Sequence, residues 1–409
     1  MRGMARRRTR SELFGSMQTL EQFYDFMDEI HTVRHAIVGY YLMQAHTPAH
    51  VRSLQNALAA MDDLPGGKLD KRLLAGDHEV TVTLDYERGE LEKDIFFLSH
   101  SDDEYVDYLA SRSDIGREGF LREVDETVRV LGERETANFI SDRDGTVNNY
   151  CGRYRSSHQS IWNAVYLTRF VRSVCTDPVI LTSAPLRGDG LLSLSLMPSG
   201  STGYAGSKGR EYQDRDGNQG TMDLGEDEAR ALERLNEALR SLVSQERFRA
   251  FSVIGSGLQP KFGETTVARQ DIHGSIPDST SDEFLRAVRD TVAEIDTDGS
   301  VFRIEDTGKD IEITLTTNGS AFSKGEGIRF LDERLSLSLA EGPNLICGDT
   351  SSDVPMLEEA ERLGAGDHTS AIFVTTDSEL RTRVRQAIAE PHFVSEPDIL
   401  VVALHKETL

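Results

Sequence analysis

The sequence is short of several things, and each shortage excludes something. It holds three cysteines, Cys151, Cys175 and Cys347, widely spaced and odd in number. That makes neither a zinc pattern nor a disulfide framework, and it favours a reducing, cytoplasmic setting. Apolar runs are brief, the longest being residues 36–43, broken by Gly39 and two tyrosines. A spanning helix needs about 20 apolar residues, so no membrane span is expected. Five arginines stand among the first ten residues, but no apolar region follows them. A secretory leader is therefore not expected, and the tip reads as an unstructured terminus. Basic residues are outnumbered, 45 Lys and Arg against 69 Asp and Glu, for a net charge of −24. A surface so anionic repels a polyanion, which excludes general nucleic-acid binding. Lysine is the scarcest charged residue, 8 of those 45. Many acids with few lysines read as adaptation to high salt, or as the arginine bias of a GC-rich genome. No Gly-x-x-x-x-Gly-Lys-Ser/Thr loop is present, nor a Gly-x-Gly-x-x-Gly after a strand, so ATP-driven and dinucleotide chemistry lack support.

What is present fits two to three domains in 409 residues, with 38% hydrophobic residues to build their cores. Leu20, Phe23, Phe26, Ile30 and Val33 share one face of a helix, and Val51, Leu54, Leu58 and Met61 repeat the pattern. Pro65-Gly66-Gly67 is a stop. Residues 79–85 alternate as a short strand, and 117–135 read as a further helix. Residues 1–135 carry no chemical motif and are expected to form a helical docking or oligomerisation module.

From residue 136 the order becomes strand (138–141), helix (158–175), strand (178–181), a parallel α/β unit. Residues 186–202 read as a connector. A helix over 226–245, strands near 249–254 and 264–272, a helix over 281–295 and strands near 301–305 and 311–316 are expected next. A helix over 325–340, strands at 344–347 and 371–374 and a short apolar stretch at 399–404 complete the chain.

Four short elements carry chemistry, and their order matters more than any one of them. Asp142-x-Asp144-Gly145-Thr146 follows an apolar strand, and Thr182-Ser183 follows another. Lys324 opens a helix, and Gly348-Asp349 with Asp353 follows a third apolar strand. Parallel sheets bind ligands at the carboxyl ends of their strands, so these side chains gather at one mouth. Crowded carboxylates repel, and share a cation or retain a proton. Hard oxygen ligands suit Mg²⁺ with a substrate phosphate. Asp142 is then a candidate nucleophile, and Asp144 a candidate acid and base for the leaving oxygen and the water. Thr182 and Lys324 are placed to hold phosphoryl oxygens as charge develops. Asp142, Asp144, Asp349 and Asp353 are the candidate metal residues. Taken singly, each element has a bland reading as a turn, a cap or a solvated helix start.

The ordered set resembles the haloacid-dehalogenase superfamily of phosphatases, over residues 136–390. The resemblance implies an α/β fold, a doubly wound parallel sheet at 136–185 and 319–409 with an inserted α/β cap at 186–318. Within the superfamily the chain is most similar to trehalose-6-phosphate phosphatases. Ala205-Gly206-Ser207-Lys208-Gly209-Arg210-Glu211 resembles their Gly-x-His-Gly-x-Glu segment, with Lys208 where a His is usual. Gln259-Pro260-Lys261 resembles their Glu-x-Lys segment, with Gln259 in place of the acid. By that likeness Gly145, Thr146, Ser183, Lys208, Glu211 and Lys261 bind substrate, with Mg²⁺ as cofactor. It also implies a small-molecule sugar phosphate as substrate, and a synthase or a second copy as partner of residues 1–135. Gly348–Met356 and Ser183-Ala184-Pro185 depart from the usual pattern, which leaves the sugar open. Sucrose-, mannosylglycerate-, glucosylglycerate- and glucosylglycerol-phosphates are alternatives, as are a transferase and a phosphatase-like regulatory subunit.

Three other features have bland readings. Cys151 reads as an unreactive thiol. Trp162 reads as packing. His31 and His35 have a metal-capable spacing but lack a third ligand.

Overall fold

Unbroken apolar runs mark strands covered on both faces, and the middle strands of the central sheet are made of them. The computed structural model describes residues 17–45, 48–133, 135–316 and 322–409, so the arginine-rich tip lies outside the described residues. The N-terminal part comprises α1 (Leu20–Leu42), α2 (Pro48–Asp62), the hairpin β1 (Asp70–Ala75) and β2 (His78–Thr83), α3 (Asp85–Phe97), α4 (Asp102–Arg112) and α5 (Gly116–Gly132). Thr19 and Gln22 form a capping box that starts α1, and Leu20, Phe23, Phe26 and Ile30 face inward, while Val33 is exposed. This region is mainly helical, and its hairpin contains β2 where a short strand is expected at 79–85.

The core begins with β3 (Asn138–Asp142), α6 (Ile161–Ser173) and β4 (Asp177–Leu181), followed by β5 (Gly203–Gly206), β6 (Glu211–Gln213) and β7 (Gln219–Thr221). A second body follows: α7 (Glu226–Val243), β8 (Leu258–Lys261), β9 (Glu264–Ala268), α8 (Asp278–Ile295), β10 (Phe302–Asp306) and β11 (Asp310–Leu315). The chain then returns through α9 (Lys324–Leu335), β12 (Asn344–Gly348), α10 (Val354–Arg362), β13 (Thr369–Val374), α11 (Ser378–Ala387), β14 (His392–Val394) and α12 (Pro397–Lys406).

The core sheet has the order β14-β13-β12-β3-β4-β5-β6-β7, parallel from β14 to β5, with β6 and β7 antiparallel at one edge. The register decides the site. Cys347 of β12 lies opposite Ser141, and Asp142 lies opposite Leu181 of β4. The residues that follow these strands therefore emerge side by side at the carboxyl edge. The second body is an antiparallel sheet, β10-β11-β9-β8, with α7 and α8.

Two expectations change, and one unassigned stretch is settled. Strands β5 to β7 fall within the expected cap of 186–318, yet they pair into the core sheet, where Val179 to Leu181 meet Gly203 to Ala205. Gly-Tyr-Ala-Gly is too short and small-sided to give a periodic signal. Residues 249–254 are not a strand but largely 3₁₀ turns over Glu246–Ser252, with Phe248 and Phe251 buried three residues apart. The apolar stretch 399–404 lies within α12, a helix packed against α5 and α6 with all six of those residues buried. A helix apolar all round belongs in a core. No helix among the described residues is long and apolar enough to cross a membrane.

Candidate active site

The β3 strand delivers Asp142 in buried form, 6% exposed, at the sheet's carboxyl edge. Lys324, the first residue of α9, donates to Asp142 Oδ1 and to Asp353 Oδ1, the latter at 2.5 Å. Two glycines explain how α9 comes so close. A Cβ on Gly325 would stand 2.4 Å from the Pro355 carbonyl oxygen, and one on Gly327 would stand 1.9 Å from that of Lys208. Only glycine permits both approaches, which bring Lys324 down onto the acids.

Asp353 serves the loop as well as the lysine. Its Oδ2 accepts from the backbone N–H of Asp349 and Thr350 at 3.1 and 2.9 Å, and from the Thr350 hydroxyl at 3.0 Å. This fixes Asp349 beside Asp142. Thr146 Oγ1 donates to Asp349 Oδ1 at 3.0 Å and lies 3.5 Å from Asp142 Oδ2. Gly145, at φ +90°, leaves room for that carboxylate, since a Cβ there would stand 2.1 Å from Asp349 Oδ2. Asp142, Asp349 and Asp353 each bring a carboxylate oxygen within 4.8 Å of the others. Burial pushes the Asp142 carboxyl well above its usual range, with the Asp353 and Asp349 charges adding to it and Lys324 opposing it. Burial and Asp353 likewise push Asp349 up to about 7. Three acids against one ammonium leave an excess of negative charge, which suits a divalent cation.

Asp144 does not join that group. Its Oδ1 accepts from Arg143 Nη1 at 2.6 Å and from Ser157 Oγ at 2.8 Å. Arg143 is itself buried and also donates to the Ser157 carbonyl. Asp144 is therefore held by Arg143 and Ser157 and is not among the acids that lie within 4.8 Å of one another. Ser157 and Arg143 were not singled out by sequence, because no spacing rule links residues 143, 144 and 157.

Thr182 is buried at the end of β4, its hydroxyl accepting from the Ala184 N–H at 3.2 Å, and Ser183 beside it is half-buried. The Thr182 carbonyl accepts from the Lys208 N–H at 2.9 Å, which ties the second loop to the first. Lys208 adopts φ +63° and reaches across to the second body, where Nζ pairs with Glu264 at 2.8 Å. Lys261 Nζ pairs with the other oxygen of Glu264 at 2.8 Å and with Thr266 Oγ1 at 2.7 Å. Burial disfavours the Glu264 charge, yet Lys261 and Lys208 together hold its carboxyl down at about 2. Glu264 was missed by sequence. The signal was there: Phe262-Gly263 closes the β8–β9 hairpin and sets Lys261 opposite Glu264. Glu211 stays in the core, accepting from the Leu186 N–H at 3.0 Å and Ser207 Oγ at 2.5 Å. It holds the loops together and makes no reach toward the cap.

The bland readings of Trp162 and Cys151 agree with the structure. Trp162 is buried with its indole N–H on Glu90. Burial, and then the Glu87 charge, push the Cys151 thiol up to about 12. His31 packs edge-on against His158 at 4.8 Å between ring centroids, and His35 is exposed. Neither histidine joins a three-ligand group among the described residues.

The comparisons with known proteins agree with this geometry. Residues 139–400 match the C-terminal family of trehalose-6-phosphate phosphatase, and residues 19–114 match its N-terminal helical bundle domain. The chain is 32% identical over 417 residues to an alpha,alpha-trehalose-phosphate synthase (UDP-forming) of Caenorhabditis elegans, covering 95% of this chain and 31% of that one. It thus spans about a third of the length of that first relative. It is 30% identical over 422 residues to a trehalose-phosphatase of Brugia malayi, covering 95% of this chain and 86% of that protein. The C-terminal domain of a C. albicans trehalose-6-phosphate phosphatase superposes with a TM-score of 0.46 at 14% identity, over 70% of this chain and 96% of that one. With both halves of one phosphatase matched in order along it, the chain belongs to the trehalose-6-phosphate phosphatase family of the haloacid-dehalogenase superfamily.

Proposed function

We propose that the protein is a Mg²⁺-dependent phosphomonoesterase that hydrolyses a phosphorylated disaccharide, trehalose-6-phosphate foremost. The observation that carries this reading is Asp142, buried at a strand end with Lys324 on one oxygen and Asp349 beside the other. Asp142, Asp349 and Asp353 would hold the cation, which supplies charge neutralisation for the nucleophile and the phosphate together. The Asp142 carboxylate attacks phosphorus and forms an aspartyl-phosphate. Lys324 and Thr182 carry phosphoryl oxygens during the transfer. Asp144, held by Arg143 and Ser157, gives its proton to the departing sugar oxygen, then takes one from the water that hydrolyses the intermediate. Lys208, Lys261 and Glu264 close the second body over the mouth, which excludes bulk water from the intermediate.

The test is phosphate release with Mg²⁺ from trehalose-, sucrose-, glucose-, mannosylglycerate- and glucosylglycerol-phosphates, at low and high salt, beside Asp142→Asn. A preferred disaccharide phosphate, with kcat/KM lowered by roughly 10³-fold or more in the variant, is the expected result. A folded wild-type protein that releases phosphate from none of them overturns the reading. Lys208 and Gln259 favour a second reading within the same chemistry, a phosphatase for another glycoside phosphate, which the same panel separates.

A further inference from the structure

Helix α3 of the N-terminal part turns a polar face into the protein. Glu87, Glu90 and Asp94 stand at spacings of three and four, so they share one side of the helix. All three are buried, Glu87 and Asp94 completely. A buried carboxylate is costly unless donors meet it. Here the donors come from residues 149–162 of the core, the link from β3 into α6. Glu87 Oε1 accepts from Arg153 Nη2 at 2.7 Å and from Ser156 Oγ at 2.6 Å. Glu90 accepts from Asn149 Nδ2 at 3.1 Å and from the Trp162 indole N–H at 3.3 Å. Asp94 accepts from the Ile161 N–H at 2.7 Å. Tyr86, beside Glu87, donates its hydroxyl proton to the His158 carbonyl at 2.8 Å and accepts from Asn148 Nδ2 at 3.0 Å.

These anchors flank one residue. Ser157 lies between Ser156, held by Glu87, and His158, held by Tyr86, and all three are buried. The link is irregular around the 3₁₀ turn at Tyr154–Ser156, so the side chains of α3 fix what a strand or helix would fix elsewhere. The Ser157 hydroxyl donates to Asp144 Oδ1 at 2.8 Å. Arg143 donates to that same oxygen and to the Ser157 carbonyl. Asn148 Nδ2, tied to Tyr86, lies 3.4 Å from it. These donors gather on Oδ1, which leaves Oδ2 to carry the proton that Asp144 passes on.

We infer that Tyr86 and Glu87 are positioning residues for Asp144, holding Ser157 and through it the direction of the Asp144 carboxyl group. The inference rests on the phosphatase reading above. It gives the N-terminal part a share in the chemical step, beyond any docking.

The P–O bond to a sugar breaks as the Asp144 proton passes to the sugar oxygen, whereas para-nitrophenolate leaves without a proton. A misplaced Asp144 therefore slows departure of the sugar far more than departure of the phenolate. The experiment measures kcat/KM, which covers the steps through leaving-group departure, for trehalose-6-phosphate and para-nitrophenyl phosphate. If the panel above prefers another sugar phosphate, that compound takes the place of trehalose-6-phosphate. The proteins are the full chain as wild type, Tyr86→Phe, Glu87→Gln and Asp144→Asn. A ratio of two substrates does not depend on the fraction of folded enzyme, so a merely structural role leaves it unmoved. The ratio of sugar phosphate to para-nitrophenyl phosphate is expected to fall about 10²-fold or more in Asp144→Asn. It is expected to fall about tenfold in Tyr86→Phe and in Glu87→Gln, chiefly through kcat for the sugar phosphate. A ratio that falls in Asp144→Asn but stays put in both α3 variants overturns this inference alone. A ratio that stays put in Asp144→Asn as well, or a wild type that cleaves no sugar phosphate, overturns the parent reading, and this inference with it.

Discussion

At the residue scale the site is a conflict of charges held together by hydrogen bonds. Asp349 is ionised only at a cost, since burial and Asp353 push its carboxyl up to about 7. Replacing it with the isosteric amide relieves that cost but removes a carboxylate proposed to hold the cation. We expect Asp349→Asn to melt higher than wild type in EDTA, and to lose the rise in melting temperature that Mg²⁺ gives wild type. A variant that still gains stability from Mg²⁺ would show that the cation sits elsewhere. Gly145 tests the same carboxylate by sterics. Its φ of +90° and the 2.1 Å approach to Asp349 Oδ2 make Gly145→Ala a displacement of that carboxylate. Strain at such a position costs about 1–3 kcal/mol. The half-saturating Mg²⁺ for phosphate release should rise about tenfold, a conversion of roughly 1.4 kcal/mol. An unaltered Mg²⁺ dependence would mean that Asp349 is not a ligand.

At the element scale, the first turn of α9 and the β8–β9 hairpin join the two bodies. Gly327 packs directly on the Lys208 carbonyl, which is backbone and cannot swing away. Gly327→Ala must push the 207–209 turn outward and break the Lys208–Glu264 pair. Overpacking of this kind costs about 1–3 kcal/mol, read as a lower melting temperature together with a raised KM. The Glu264 pair has a pH signature. Its carboxyl is held at about 2 when folded, against about 4.3 in the unfolded chain. A depressed acid contributes stability that is full above the unfolded value and is lost as pH falls through the folded one. The melting difference between wild type and Glu264→Gln should therefore be constant from about pH 5 to 8 and shrink between about pH 4.5 and 2. A difference that grows on acidification would contradict the pairing.

At the scale of the whole molecule, the N-terminal part touches both the core and the second body. Helix α1 packs on α6, and α5 packs on the buried α12. Toward the second body, Tyr24 holds Val253 and Thr83 Oγ1 lies 2.8 Å from His273 Nε2. Trp162, the single tryptophan, lies beneath α3, where Lys93 sits 5.6 Å from its ring. Its fluorescence reports on whether that helix is docked. Leu400→Ala, at a fully buried position of α12, should cost about 2–5 kcal/mol and lower the melting temperature seen by Trp162 emission and by activity together. Two separate transitions would mean that the N-terminal part unfolds on its own.

The sequence alone determined what depends on local order. Apolar strands ending in Asp142, Thr182 and Asp349 were legible because each residue directly follows its strand, and a parallel sheet aligns strand ends. The helical period of α1 and α2 and the lysine opening α9 were legible for the same reason. Tertiary structure decided what depends on distant pairing. It set Asp144 on Ser157, put Glu264 between Lys208 and Lys261, moved β5 to β7 from cap to core, and packed α12 against α5 and α6. Each of these is a contact between segments that no period or spacing connects, so its energy becomes visible only when the chain is folded.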